Sequence, residues 1–435
     1  MRILQLEPIS PPRSNNQNLE QFGEKKQLSL LSELEKFYSF LLRQSGQTAT
    51  RRVAARLINA ILRLILLLPI RTHSDKCDIL IIHFLAPEEN AGLADFCERI
   101  SSRFPTQKVV FHKLMGLKDQ LRHFYLINPP LRKYLSNDTL YLAPYPAFLM
   151  QKYRPSMLII FLEWNPAAIL FYVYAKRIGA IVINVAHALT SNSDRCSIQS
   201  FDYYFLFGQS SVQHLRSNPI RIGSARLVQT GTINFQIREA SVNSSGAFLY
   251  FSDWSKRGYE DLVESNLQVV HGWVVESRPR LYIKPHPLED TRRVLSLFSD
   301  FSNVTVLDKN TPLDSALREV SFSLVHWSTA SLASAGMGKP VIAVNTDENF
   351  DDSFLELQRF FGPAASTPAQ IAARAAEFTH DTELWRSRSI EFARYHLKEL
   401  SGAGQYIEDA LADIYHGKEE LDYTKLPATS DYRLG

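Results

Sequence analysis

The chain has 435 residues, 45% of them hydrophobic and 21% charged, with a formal net charge of +3. This is ordinary globular composition at a length suited to two or three domains, and the small net charge excludes a nucleic-acid binder that works by bulk electrostatics. The three cysteines, Cys77, Cys97 and Cys196, are odd in number and widely spaced, so they form neither a disulfide framework nor a zinc-ligand pattern.

The opening, MRILQLEPISPPRSNN, has no apolar core followed by a small-residue cleavage site, and a reducing cytoplasm is the expected compartment. Residues 1–24 are polar and expected to be poorly ordered. Residues 25–45 place Leu28, Leu31, Leu34, Phe37 and Leu41 at three- and four-residue steps, which predicts an amphipathic helix. A second helix is expected over 50–70, carrying Arg51, Arg52, Arg56 and Arg63 and no acid. Its apolar run, Leu64 to Ile70, is far shorter than the ~20 residues of a membrane span. Two readings stay open for it: an interfacial helix drawn to anionic lipid at the inner face of the cytoplasmic membrane, or a helix packed on the protein with its arginines in water.

From residue 76 strands alternate with helices. CDILIIHFL (77–85) is a continuous apolar run, as a buried parallel strand requires, and MLIIFLEW (157–164) is another. A helix near 91–102 and a short strand near 108–112 lie between them. Asn165 and Pro166 stand in cap and first-turn positions of the helix after Trp164. Strands follow at 180–186, 201–208 and 225–231. The pattern lapses over the Ser-rich 234–246, then resumes with strands at 247–253, 280–284, 303–308, 322–327 and 340–345, separated by helices; 368–415 reads as helical. The expected class is α/β, with two Rossmann-like domains after an N-terminal helical extension: 1–75 the extension, 76–236 the first domain, 247–415 the second domain with closing helices, and 416–435 a polar tail.

Open parallel sheets bind ligands at the carboxyl ends of their strands, so the residues just after each apolar run are the candidates. Lys284-Pro285-His286-Pro287 follows one strand, with the prolines stiffening the backbone; the ammonium suits phosphate, and the imidazole can donate to phosphate or move a proton. His326-Trp327-Ser328-Thr329-Ala330-Ser331 opens a helix, where hydroxyls and free N–H groups serve either as a simple cap or as an anion site. Gly336-Met337-Gly338-Lys339-Pro340 returns that helix to the next strand. His187 follows the strand ending at Ala186, as a general base or as a loop imidazole bonded to backbone. Glu163 is either a catalytic base or an acid favoured by a helix N-terminus. Asp253 and Trp254 follow the first strand of the second series, and Glu88, Glu89 and Asn90 follow the first strand of the chain. There is no GxGxxG or GxxxxGK[ST] placed for a dinucleotide or P-loop site, and no DxD, so neither a resident cofactor nor a metal is implied.

Five segments recur in a fixed order: INVAHALTS, FDYYFLFGQSSVQHL, LVQTGTIN, LYIKPHP and LVHWSTASLASAGMGKPVIAV. In that order they resemble the GT-B transferases of bacterial surface polysaccharides, the group of CDP-glycerol glycerophosphotransferases, capsule polysaccharide transferases and bacterial sialyltransferases. The resemblance covers roughly residues 180–400. It implies two facing Rossmann-like domains, 76–236 for the acceptor and 247–415 for the nucleotide donor, with donor phosphate on Lys284, His286, Ser328, Thr329 and Ser331, and it makes His187 a candidate catalytic residue; Asp253 as a residue lining the cleft and Glu163 as a second catalytic candidate come from their places at strand ends. The implied reaction moves a sugar or polyol phosphate from a CMP- or CDP-linked donor to a glycan or lipid-linked acceptor of the cell envelope. The chain departs from the pattern at Ala188, where the family has Gly, and at His326-Trp327, where it often has Asp-Tyr. Two alternatives stand beside this reading: a UDP-sugar 2-epimerase on the same architecture, and a non-catalytic scaffold subunit of a polysaccharide-assembly complex.

Overall fold

The computed structural model describes residues 75–83, 91–110, 144–161, 165, 167–190, 196–234, 237, 248–251, 260–285, 291–308, 311–326, 328–347, 356–418, 421–427 and 429–430. The two helices expected within 25–70 lie outside them. In chain order the first half comprises β1 (Ile79–His83), α1 (Ala91–Arg103), β2 (Thr106–Val110), α2 (Pro144–Tyr153), β3 (Met157–Ile160), α3 (Ala167–Arg177), β4 (Ile181–Val185), β5 (Tyr203–Leu206), α4 (Gln209–Ser217), β6 (Ile220–Arg221) and β7 (Arg226–Gln229). The second comprises β8 (Phe248–Phe251), α5 (Glu260–Ser277), β9 (Leu281–Lys284), α6 (Thr291–Phe298), β10 (Val304–Val306), α7 (Leu313–Arg318), β11 (Phe322–Val325), α8 (Ala330–Gly336) and β12 (Val341–Ala343). Helices α9 (Leu357–Phe361), α10 (Pro368–His380), α11 (Thr382–His396) and α12 (Ala403–Tyr415) follow, then two short strands, β13 (Thr424–Lys425) and β14 (Thr429–Ser430).

The apolar runs become strands because both of their faces are covered: every residue of β1, β3, β5 and β11 is buried. Helix α3 is buried from Ala167 to Ala175, and the Asn165 side chain accepts the Ala167 N–H at 2.9 Å, the expected cap. Two sheets result. The first runs β13-β7-β5-β4-β3-β1-β2, parallel except for β13; the second runs β10-β9-β8-β11-β12, parallel throughout. In each, the order reverses around the first strand of its series, between β1 and β3 and between β8 and β11. These are the two topological switch points, where a crevice opens at the strand ends.

The helical stretch expected over 368–415 is three helices. Thr367 and Gln370 form a reciprocal capping box at the start of α10, and Asp381 caps α11 through the Leu384 N–H at 3.1 Å. Helix α12, which the sequence placed among the closing helices of the second half, packs on the first sheet. Its Ile407, Leu411 and Ile414 share a core with Ile79, Ile81, Phe96 and Ile100, and Arg99 on α1 is paired with Glu408. The tail after 416 adds β13 antiparallel to β7, with Thr424 opposite Leu227. The apolar stripe of α12 is visible in the sequence; which sheet it covers is not.

Candidate functional site

The second switch point gathers the donor-side candidates. Register sets Phe251, Lys284 and Val325 at one level, with β8 between β9 and β11. Strands lie about 4.8 Å apart, so the Lys284 and Val325 backbones are about 10 Å apart. His326 is the next residue along β11 and is only 4% exposed. Ser328 follows, half-buried, its hydroxyl accepting the Ala330 N–H at 3.3 Å while its carbonyl accepts the Ser331 hydroxyl at 2.8 Å. Ser331 is thus buried and committed to the helix start itself, and Ser328 acts as a cap. Thr329, also half-buried, makes no capping bond.

Lys284 is 8% exposed and donates to the carbonyl of Pro285 at 3.0 Å. Burial lowers its pKa, and the nearby Asp308 carboxylate acts in the opposite sense. Its ammonium therefore braces the turn that leads to His286. Lys339, in the return from α8, is also buried; it donates to the carbonyls of Leu317, Arg318 and Val320 and so closes the C-terminal end of α7.

Two further residues at this edge were not singled out in the sequence. Asn266, fully buried on α5, accepts the Thr346 N–H at 2.9 Å, and Asn345 accepts the Asp347 N–H at 3.2 Å. Together they fix the loop beyond β12. An asparagine inside the apolar stripe of an 18-residue helix was the available signal.

At the first sheet, His187 stands two residues beyond β4 and is half-buried, and its carbonyl accepts a hydrogen bond from the Asn234 amide. Register pairs Ile160 with Asn184, three positions before His187. His83 ends β1 beside the switch point, 1% exposed, on the face that Ile79 and Ile81 share by strand alternation. An apolar run hid it from sequence reasoning. Gly92, at the start of α1, meets the loop after β7 so closely that a Cβ would lie 1.9 Å from the Ile233 carbonyl oxygen. Glu163, His286, Asp253, Trp254 and the Glu88–Asn90 group lie outside the described residues.

Two parallel sheets, each with its switch point at the strand ends, and a C-terminal helix returning to the first sheet can be compared with solved structures. UDP-GlcNAc 2-epimerase from Neisseria meningitidis, bound to UDP-GlcNAc, aligns with TM-score 0.50 and 12% identity over 77% of this chain and 99% of its own. The architecture is the GT-B fold. MnaA of S. aureus in complex with UDP aligns with TM-score 0.50 and 13% identity over 81% of this chain and 99% of its own. The calicheamicin glycosyltransferase CalG4 aligns at TM-score 0.49 and 11% identity over 80% of this chain and 100% of its own, too loose a likeness to add to the first two. No protein-family model matches the chain, and no curated protein sequence does. Within the GT-B fold, the described residues include no helix long and apolar enough to cross a membrane.

Proposed function

We propose that this GT-B protein is a transferase that holds a nucleotide-activated donor at the carboxyl ends of β8 and β11. The observation that carries the reading is the second switch point, where Ser328 and Thr329, leading into α8, follow three and four residues after Val325, which is level with Lys284. Lys284 braces the turn and supplies positive charge, His286 donates to phosphate, and Asp253 faces the donor. Charge building on the leaving nucleotide is stabilised by these groups and by the N–H groups of the helix start. His187 or Glu163 removes the proton of the attacking acceptor hydroxyl. Closure of the two halves excludes water and limits donor hydrolysis. On this reading no resident cofactor is needed.

The five ordered segments support a CMP- or CDP-linked sugar or polyol phosphate as donor and a surface-polysaccharide or lipid-linked acceptor. Calorimetric titration of CMP, CDP, UDP and GDP tests it. Selective binding of a cytidine nucleotide that is lost in His286→Ala is the expected result; binding that the substitution leaves unchanged overturns the assignment. If none of the four binds, a scaffold subunit becomes the better account.

A second reading is supported by the solved neighbours, a UDP-GlcNAc 2-epimerase bound to UDP-GlcNAc and a UDP complex. Incubation with UDP-GlcNAc and with a cytidine-linked donor, each without acceptor, separates the two: an isomerised sugar product from UDP-GlcNAc marks an epimerase, and a donor that stays intact until a glycan acceptor is added marks a transferase. We further propose that residues 50–70 hold the protein to anionic membrane. Flotation with anionic liposomes should be lost when Arg51, Arg52, Arg56 and Arg63 are replaced by Gln, and unchanged flotation overturns the contact.

A further inference from the structure

Helix α4 lies behind the loop that carries His187, and three of its polar residues, Ser210, Ser211 and His214, are buried. The His214 ring nitrogen Nδ1 is 2.7 Å from the Thr190 carbonyl oxygen, and His214 is 8% exposed. A carbonyl only accepts, so Nδ1 carries the proton and donates. The Thr190 hydroxyl in turn donates to the Ser211 carbonyl at 3.2 Å. At the other end of the loop the Asn234 amide donates to the carbonyl of His187. The four residues His187–Thr190 are therefore held at both ends by side chains from remote parts of the sequence.

The same helix grips the second half. The Ser210 hydroxyl is 2.8 Å from Nδ1 of the fully buried His396, Gln213 bonds the Tyr395 hydroxyl at 2.7 Å, and the Phe207 carbonyl accepts the Lys398 N–H at 2.8 Å. Tyr395 and His396 end α11, which packs along α8, the helix that opens at Ser328. One rigid helix thus holds the His187 loop and is bonded to the element supporting the donor side.

We propose that His214 is a positioning residue, whose Nδ1–H bond to Thr190 fixes the His187 loop at the mouth of the first sheet. The inference rests on the reading that His187 serves the acceptor side. Two variants test it. His214→Phe keeps a planar ring and removes the donor; His214→Asn places an amide nitrogen near the position of Nδ1 and restores it. Amide hydrogen exchange over residues 187–190, measured on the full chain without ligand, should rise about 10-fold in the Phe variant, the scale of one buried hydrogen bond, and return toward wild type in the Asn variant. Exchange unchanged in the Phe variant, or raised equally in both, overturns the clamp. In parallel, nucleotide release from UDP-GlcNAc and from a CMP-sugar, each with a glycan acceptor, is expected to show a kcat about 10-fold lower in the Phe variant with nucleotide affinity unchanged, and recovery in the Asn variant. Equal nucleotide release in wild type and the Phe variant overturns the positioning role. If wild type binds no nucleotide, the transferase reading fails, while the exchange experiment still decides whether His214 holds the loop.

Discussion

The two switch points are built differently. On the second sheet the polar groups of the Lys284 and Ser328 turns are held by near neighbours in sequence, Ser328 bonding Ala330, Ser331 bonding Ser328 and Lys284 bonding Pro285, whereas Lys339 reaches back to residues 317–320 and Asn266 holds the Thr346 N–H from α5. On the first sheet they are held from afar: His187 by Asn234, Thr190 by His214, and helix α1 by Glu408 on α12. The turns at Lys284 and Ser328 are thus local constructions, and the His187 loop depends on the packing of remote parts of the chain. Local damage should weaken the first of these mildly, whereas a single distant change should disturb the second.

The largest effect is expected at Gly92. A methyl group there would meet the Ile233 backbone, which cannot yield without moving the loop that carries Asn234. Gly92→Ala should cost about 3 kcal/mol in denaturant unfolding and raise hydrogen exchange around His187 as well. A variant of wild-type stability would break the comparison, since the first switch point would then tolerate a displaced neighbour.

The second sheet has a pH signature. Burial lowers the pKa of Lys339 from 10.5 to about 8, against the opposing pull of Glu319. Between those two values the unfolded chain binds the proton that the folded chain has released, so the contribution of this residue to stability rises as pH increases from about 8 to 10.5, by up to about 3 kcal/mol. The stability difference between wild type and Lys339→Met, followed by chemical denaturation across that window, should grow in favour of wild type; a flat difference would show that carbonyl bonding offsets the burial.

Arg99→Met leaves the nearly buried Glu408 carboxylate with no guanidinium beside it. A loss of about 2 kcal/mol is expected, moderated because Arg99 is itself partly exposed, together with faster proteolytic release of α12. Release at the wild-type rate would show that the apolar face of α12 is sufficient. Ser328→Ala should be the mildest, about 1 kcal/mol for a lost cap, with a measurable drop in nucleotide affinity. A drop in stability alone would reduce Ser328 to a structural cap and sharpen the division between the two edges.

Much of the fold was legible in the sequence, because a strand buried on both faces needs a continuous apolar run and a cap needs particular side chains. The two strand series and the Asn165 cap follow from that. So does the placement of His187, Lys284 and Ser328 at strand ends, since each follows directly on an apolar run. The anchoring groups did not follow. His83 sits inside an apolar run, Asn266 inside a helix, and His214 in the segment FDYYFLFGQSSVQHL, which supports the resemblance but gives the histidine no role.

The amino-acid sequence by itself determined the two series of strands and helices and which polar groups follow the apolar runs; it did not mark α2, β13 or β14, or the breaks that divide 368–415 into three helices. Only the tertiary structure decided the strand order, and with it the switch points between β1 and β3 and between β8 and β11. It alone returned α12 and β13 to the first sheet and joined α4 to both the His187 loop and α11. Periodicity records how each residue meets its own helix axis or strand face. It carries no address for the partner across the interface, which is chosen by the packing of all the elements at once.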